Sequence, residues 1–250
     1  MDALLESLRT IQDIFFDLEK MIDAFPIILA AFPVSVFIGV GSFFLGIPAG
    51  LLLAFMKMSR SRLVRWPATF YVDVVRGTPL FLQILIVYFG LTLLPFYQSL
   101  IREVPQIKEP FLFGIDFTIY MRAFFVLSFN SAAYMAEIFR AGIQSIPKGQ
   151  MEAARSLGMS YFQAMRYIIL PQAVRRVLPP LGNDFIAMLK ESSLVSALGV
   201  RDITQLGKLY ASRSFHYLET YSAVAFLYLT MTIVLSLGVK AMERKLKTDE

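Results

Sequence analysis

An all-α integral membrane fold is what this sequence predicts, with five transmembrane helices, an N-terminal interfacial helix and a cytoplasmic helix-turn-helix. Three observations lead there. Of 250 residues, 56% are hydrophobic and only 17% charged, where a soluble domain carries about 25% charged residues. The charges are also bunched: none falls between Ala24 and Met56, and none between Gly77 and Ile101. A stretch of about 20 apolar residues crosses a hydrocarbon core, so either gap holds a span. Finally, "MEAARSLGMSYFQAMRYIILPQA" at 151–173 is charged and well punctuated between greasy runs, which places it outside lipid.

Residues 1–23 read as one amphipathic helix, because Leu4, Leu8, Ile11, Phe15, Leu18 and Ile22 step by three and four along a single stripe. Its charges are mostly acidic, so it is neither a basic signal peptide nor a helix drawn to anionic lipid. A single transmembrane domain follows over 24–245, with a long loop at 141–176, and 246–250 form a tail. Spans are expected at roughly 25–56, 68–95 (with Pro79 inside), 117–140, 178–199 and 220–241. Loops after the odd-numbered spans hold fourteen Lys and Arg, whereas those on the other side hold five: Arg102, Lys108, Arg201, Lys208 and Arg213. Excess basic charge marks the cytoplasmic face, so the N-terminus is expected outside and the C-terminus inside. Trp66 and Tyr71 fall near that boundary, where aromatic rings anchor.

The 141–176 loop carries its own start and stop signals. Ser145 and Pro147 predict a helix start, since proline suits a first turn, and Glu152 sits early, where the helix dipole favours a negative charge. Gly158 predicts a left-handed stop. Ser160 and Gln163 form an S-x-x-Q capping box for a second helix, expected to end at Pro171. Met151, Ala154 and Leu157, with Ala153, give the first helix a small, flat apolar face suited to another protein's groove.

Several chemistries are excluded. Without cysteine there is no thiolate catalysis and no cysteine-ligated metal, and the lone histidine, His216, reads as an interfacial surface residue. No GxxxxGK[ST] is present, so the chain builds no phosphate cradle of its own. The net charge of +5 falls in membrane-flanking loops and does not indicate nucleic acid. A membrane-embedded enzyme would need a cluster of His, Cys or paired acids that is missing here. Five spans, without an internal repeat, do not divide into two inverted halves, so a second copy or a paralogue is expected to supply the other wall of any pathway.

The loop also carries a resemblance. Glu152, Ala153, Ala154, Gly158, Ile168, Leu170 and Pro171 spell E-A-A-x3-G-x9-I-x-L-P. This resembles the signature loop of permease subunits of bacterial ABC importers. "RGTPLFLQILIVYFG" at 76–90, "EIFRAGIQSIPKGQ" at 137–150 and "LKESSLVSALGV" at 189–200 are similar to the polar amino-acid uptake branch. The likeness covers residues 25 to 245 and implies the fold of type I importers. It implies that the 147–158 helix, through Glu152, Ala153, Ala154, Leu157 and Gly158, couples to an ATPase subunit. ATP and Mg would be held by that partner and no cofactor by this chain. It further implies an extracytoplasmic amino-acid-binding protein, an amino-acid substrate (polar or charged), a second permease copy or paralogue, surrounding lipid, and a place in the inner membrane. An ion-coupled secondary amino-acid transporter is the alternative.

Polar groups are costly in hydrocarbon and should face the bundle or a water-filled path. Asn130, Asn183 and Glu191 are candidates to line the translocation pathway. So are Thr78 and Pro79, where proline frees a carbonyl and kinks the second span. Interhelical hydrogen bonding is the competing reading, and Glu137 is expected to pair with Arg140 one turn on.

Overall fold

The computed structural model describes residues 17–104 and 110–247. Residues 1–16, most of the expected amphipathic helix, and 248–250 of the tail lie outside the described residues. The elements are α1 (Leu18–Ala30), α2 (Phe32–Met58), α3 (Arg62–Gly77), α4 (Leu80–Leu93) and α5 (Pro95–Glu103), then strands β1 (Pro110–Leu112) and β2 (Ile115–Asp116). There follow α6 (Phe117–Gln144), α7 (Lys148–Ser156), α8 (Tyr161–Ala164), a π-helical turn (Met165–Ile169) and α9 (Leu170–Glu191). A 3₁₀ stretch (Ser192–Leu198), α10 (Ile203–Ser214) and α11 (Tyr217–Lys247) complete the chain. The short antiparallel hairpin, which the sequence reading did not anticipate, turns through Phe113 and Gly114, both at positive φ.

Among the described residues, α2 and α11 are long and apolar enough to cross a membrane unaided. α6 and α9 run for 28 and 22 residues but carry buried or paired polar groups that dilute their hydropathy. The expected second span differs most from the structure. Instead of one kinked helix over 68–95 there are two helices, α3 and α4, bent by 108° at Thr78–Pro79. Proline supplies no N–H and disfavours helical geometry in the residue before it, and Thr78 is accordingly extended, at φ −118° and ψ 145°. The first span also differs: α1 runs through residue 24 without interruption and the chain breaks at Ala31, with Pro33 restarting α2.

The described residues fall into two compact units, one drawn from residues 1–40, 84–124 and 189–234, the other from 41–83, 125–188 and 235–250. In the first, Ala24, Ile28 and Ala31 of α1 pack with Ile203 of α10 and Ala223, Val224 and Leu227 of α11. Small residues let backbones approach closely; a Cβ on Gly207 would stand 2.6 Å from Val224 Cγ2. Leu18 and Ile22, on the expected apolar stripe, are exposed and line an open groove with Phe25 and Phe226. Asp202 caps α10, accepting the Gln205 N–H at 2.8 Å, and is fully buried. Burial pushes its carboxyl up to about 7, against the opposing pull of the N–H groups and the Tyr228 hydroxyl. Arg122, which sequence reading did not single out, is buried in the same unit. Its Nε donates to the Tyr97 hydroxyl at 2.7 Å, and the guanidinium lies over the Tyr88 and Tyr97 rings.

In the second unit, α2 meets α6 at Gly46 and Gly50, a G-x3-G pair. A Cβ on Gly50 would come within 2.6 Å of Met135 Cβ and 3.1 Å of the Ala132 carbonyl oxygen. α3 buries Val72 and Val75 against Ala133 and Ala136 of α6. Tyr71 packs here as well: it is half-buried, and its hydroxyl donates to the Phe129 carbonyl at 2.5 Å.

Candidate functional site

The 145–170 segment forms a hairpin with its own small core. Ile146, Ile169 and Ala173 are buried, and Ile143, Met151, Met165 and Ile168 pack against them. Its first arm, α7, starts at Lys148 with Pro147 in the cap position. Ser145 does not cap it: its hydroxyl donates to the Gly142 carbonyl at 2.7 Å and closes α6 instead. The stop is the one the sequence foretold. Gly158 has φ +84°, the Met159 N–H reaches the Ala154 carbonyl at 3.2 Å, and the Gly158 N–H reaches that of Arg155 at 3.1 Å. These two bonds satisfy carbonyls at the helix end. Nothing stands within 4 Å of the Cβ position of Gly158, so its glycine is required by dihedral angle alone.

The second arm opens with the expected capping box. Ser160 Oγ accepts the Gln163 N–H at 3.2 Å and Gln163 Oε1 accepts the Ser160 N–H at 2.8 Å. The helix does not end at Pro171, as the sequence reading had it. A π-helical turn, in which the Leu170 N–H bonds to the Met165 carbonyl, precedes the proline, and the helix then continues to Glu191. Proline in the first turn after an altered register costs little, since its missing N–H is not called for there. One continuous run of helix thus joins the hairpin to the body of α9.

The face of α7 differs from the expected one. Met151 packs into the hairpin's core and Ala154 is buried, whereas Glu152, Ala153 and Leu157 are exposed, Leu157 by 84%. Tyr161 and Phe162 are exposed beside them in sequence, by 61% and 71%. Glu152 is the fifth residue of α7 and lies beyond its first turn, so its place near the dipole's positive end is not realised.

The break between α3 and α4 is the second site. Thr78 Oγ1 donates to the Val74 carbonyl at 2.9 Å. Gln83, missed in the sequence, bridges the gap: its Nε2 donates to the carbonyls of Val75 (2.7 Å) and Thr78 (3.1 Å) and to Thr78 Oγ1 (2.8 Å). Asn130, 2% exposed, donates in turn to Gln83 Oε1 at 2.9 Å. Of the expected pathway residues, Asn130, Thr78 and Pro79 are therefore gathered at one place. Asn183 is exposed on α9, and Glu191 is half-buried at the end of that helix, in the first unit. The clue to Gln83 was its amide inside an uncharged run, where a polar group needs a protein partner.

Glu137 pairs with Arg140 at 2.6 Å, as expected, and also with Lys57 of α2 at 2.6 Å. Close by, Arg76, Tyr134, Glu137, Ser145 and Arg176 line an open cleft of about 490 Å³. Arg76 stacks over Tyr134 at 5.3 Å, and Arg176 donates to the Ser145 carbonyl at 3.1 Å. Among the described residues, no group of three or more His, Cys, Asp or Glu is placed to hold a metal ion.

Comparison with known proteins agrees with this architecture. Residues 46–248 match the family described as "Binding-protein-dependent transport system inner membrane component". The "Probable amino-acid permease protein YxeN" of Bacillus subtilis (strain 168) is 39% identical over 228 residues, 91% of this chain and 95% of that protein. The "Arginine transport system permease protein ArtQ" of the same organism is 36% identical over 234 residues, 94% of this chain and 99% of that one. A solved structure titled "Crystal structure of an amino acid ABC transporter with histidines" superposes with a TM-score of 0.76 at 37% identity, covering 90% of this chain and 97% of that one. In such systems the ATPase is a separate subunit and the permease is a transport component, not an enzyme. With most of its length matched, this chain belongs to the family of inner membrane components of binding-protein-dependent transport systems.

Proposed function

We infer that this chain is the permease subunit of an ATP-driven importer for amino acids, polar or charged, delivered by an extracytoplasmic binding protein. The permease relatives and the solved amino-acid transporter named above support that substrate class. In this reading α2, the α3–α4 pair, α6, α9 and α11 are the five crossings, the N-terminus is outside and the C-terminus cytoplasmic, and a second permease copy or paralogue completes the pathway. ATP and Mg sit on the partner ATPase subunits. The α7 helix seats in a cleft of the ATPase through Glu152, Ala153 and Leu157, while Ala154 holds it to the hairpin and Gly158 sets its exit angle.

The observation that carries this reading is the hairpin itself. It is internally packed and capped at its turn, it offers Leu157, Tyr161 and Phe162 to the exterior, and it continues as helix into α9. A self-supporting peg transmits displacement, whereas a slack loop would absorb it. Asn130, Gln83, Thr78 and Pro79 form the polar break along the pathway, and the Arg76–Arg176 cleft offers guanidinium groups to a departing carboxylate.

The test is reconstitution with the ATPase and binding protein. Glu152→Arg is expected to leave insertion and basal ATP hydrolysis in place and to remove amino-acid uptake and its stimulation of hydrolysis. Full uptake by that variant in vesicles would overturn the coupling role of α7.

A further inference from the structure

The open cleft beside the hairpin is built wholly within the second unit. Arg76 enters it from the end of α3, Tyr134 and Glu137 from α6, Ser145 from the start of the hairpin and Arg176 from the second turn of α9. Along α9, Arg176, Pro180 and Asn183 are spaced by four and three, so they share one helical face, and all three are exposed. Polar groups on a crossing helix turn away from acyl chains, toward the bundle interior or a water-filled path. A face that carries an exposed guanidinium and an exposed amide therefore belongs to such a path.

Charge in the cleft is one-sided. The acid that lines it, Glu137, already lies 2.6 Å from both Lys57 and Arg140. Among the described residues neither Arg76 nor Arg176 forms an ion pair. Arg76 lies over the Tyr134 ring, and Arg176 uses one N–H on the Ser145 carbonyl. A guanidinium carries five N–H groups, so both keep donors for a carboxylate. Two cations without a counter-charge suit a ligand with two carboxylates, and about 490 Å³ admits a small amino acid together with water. A cationic side chain would instead bring further positive charge to a site whose acid is already matched twice.

We propose that Arg76 and Arg176 make this cleft an exit subsite for acidic amino acids, with Arg176 the specificity-determining residue. The substrate class thereby narrows to amino acids with a carboxylate side chain, and cationic ones are turned away. The proposal rests on the reading of this chain as an amino-acid permease and deepens it.

A delivering protein screens amino acids on the outer face, so its selectivity has to be kept out of the measurement. Equilibrium dialysis of labelled L-glutamate, L-glutamine and L-lysine against this chain with its ATPase subunits in nanodiscs, without the binding protein, meets that need. Glutamate should bind roughly tenfold more tightly than glutamine, the difference being one charge-assisted pair, and lysine should not compete with it. Arg176→Gln should abolish that preference, and Arg176→Lys, which keeps the charge, should retain most of it. Arg76→Gln, which leaves the contact between Arg176 and the hairpin in place, should weaken the preference in the same direction. Equal binding of glutamate and glutamine would overturn the proposal, as would binding of lysine in preference to both, no binding at all, or a glutamate preference unchanged in Arg176→Gln. Uptake by the reconstituted transporter separates the two readings. Vesicles that take up an amino acid while the cleft shows no preference sink this proposal alone, whereas vesicles that take up none sink the permease reading with it.

Discussion

The hairpin at 145–170 and the break at Gly77–Gln83 both interrupt helix in a hydrophobic chain, and they are secured by different means. At the turn of the hairpin the leftover backbone groups are met by near neighbours in sequence: Met159 reaches Ala154, and Ser160 and Gln163 serve each other. At the break, the freed carbonyls of Val75 and Thr78 are met by Gln83, eight and five residues away, and Gln83 is held by Asn130, 47 residues away. Water can cover an imperfect cap on an exposed loop, but hydrocarbon supplies no donors, so a break at membrane depth has to recruit a side chain from another helix. The first interruption is local and the second tertiary.

Gly158→Val should have the largest effect. No atom obstructs the new side chain, so the cost is conformational, about 1–2 kcal/mol for a branched residue held left-handed. The hairpin would pay this by re-aiming α7. Uptake by the reconstituted transporter should collapse while ATP hydrolysis continues without stimulation; uptake near wild type would show that the exit angle of α7 carries nothing. Next comes the break. Gln83→Leu strands the Val75 carbonyl and Asn130, at about 1–3 kcal/mol for each group left unsatisfied. In a thermal-unfolding cycle with Asn130→Leu, the two changes should couple by about 0.5–3 kcal/mol. Strict additivity would mean that the 2.9 Å bond contributes nothing to the break.

What was legible in the sequence follows the same division. Gly158, Ser160 and Gln163 could be read because a cap is written within three or four residues. Pro171 was misread as a stop because a π-helical turn resets the register before it, and nothing in a local pattern announces that turn. Glu137 was matched to Arg140, its neighbour on the same helix, but not to Lys57, which α2 brings to 2.6 Å. Gly46 and Gly50 likewise acquire meaning only when Met135 is packed against them. Asn130 was identified as a polar residue that must be satisfied, while its partner, Gln83, depended on where α3 and α4 part. Arg122 went unremarked because its tyrosine partners sit on other helices.

Asp202 falls between the two cases. Its cap to Gln205 is local, but its burial beneath Tyr228 is tertiary. The folded state holds the carboxyl at about 7 against 3.8 for the free group. The protonated form is thus favoured by folding, and the stability it contributes is complete below about pH 3.8 and is lost as pH rises through 7. The chain should lose about 1 kcal/mol of stability between pH 6 and pH 7. Asp202→Asn should flatten that dependence, and an unchanged slope in the variant would place the titrating group elsewhere.

The smallest effect should come from the most legible feature. Ser160→Ala removes the oxygen that accepts the Gln163 N–H at 3.2 Å, and losing an N-cap costs about 1 kcal/mol or somewhat less where water can reach the N–H. Ser160 and Gln163 are both exposed, so water can take over the orphaned donor, and the hairpin core around Ile146 and Ile169 stays intact. Thermal unfolding should therefore shift by less than for Gln83→Leu, and Ser160→Asp, which restores an acceptor, should recover the loss. If Ser160→Ala were the more damaging of the two, the hairpin's stability would rest on its cap and not on its core, and the contrast between a water-backed interruption and a protein-backed one would fail at its simpler end.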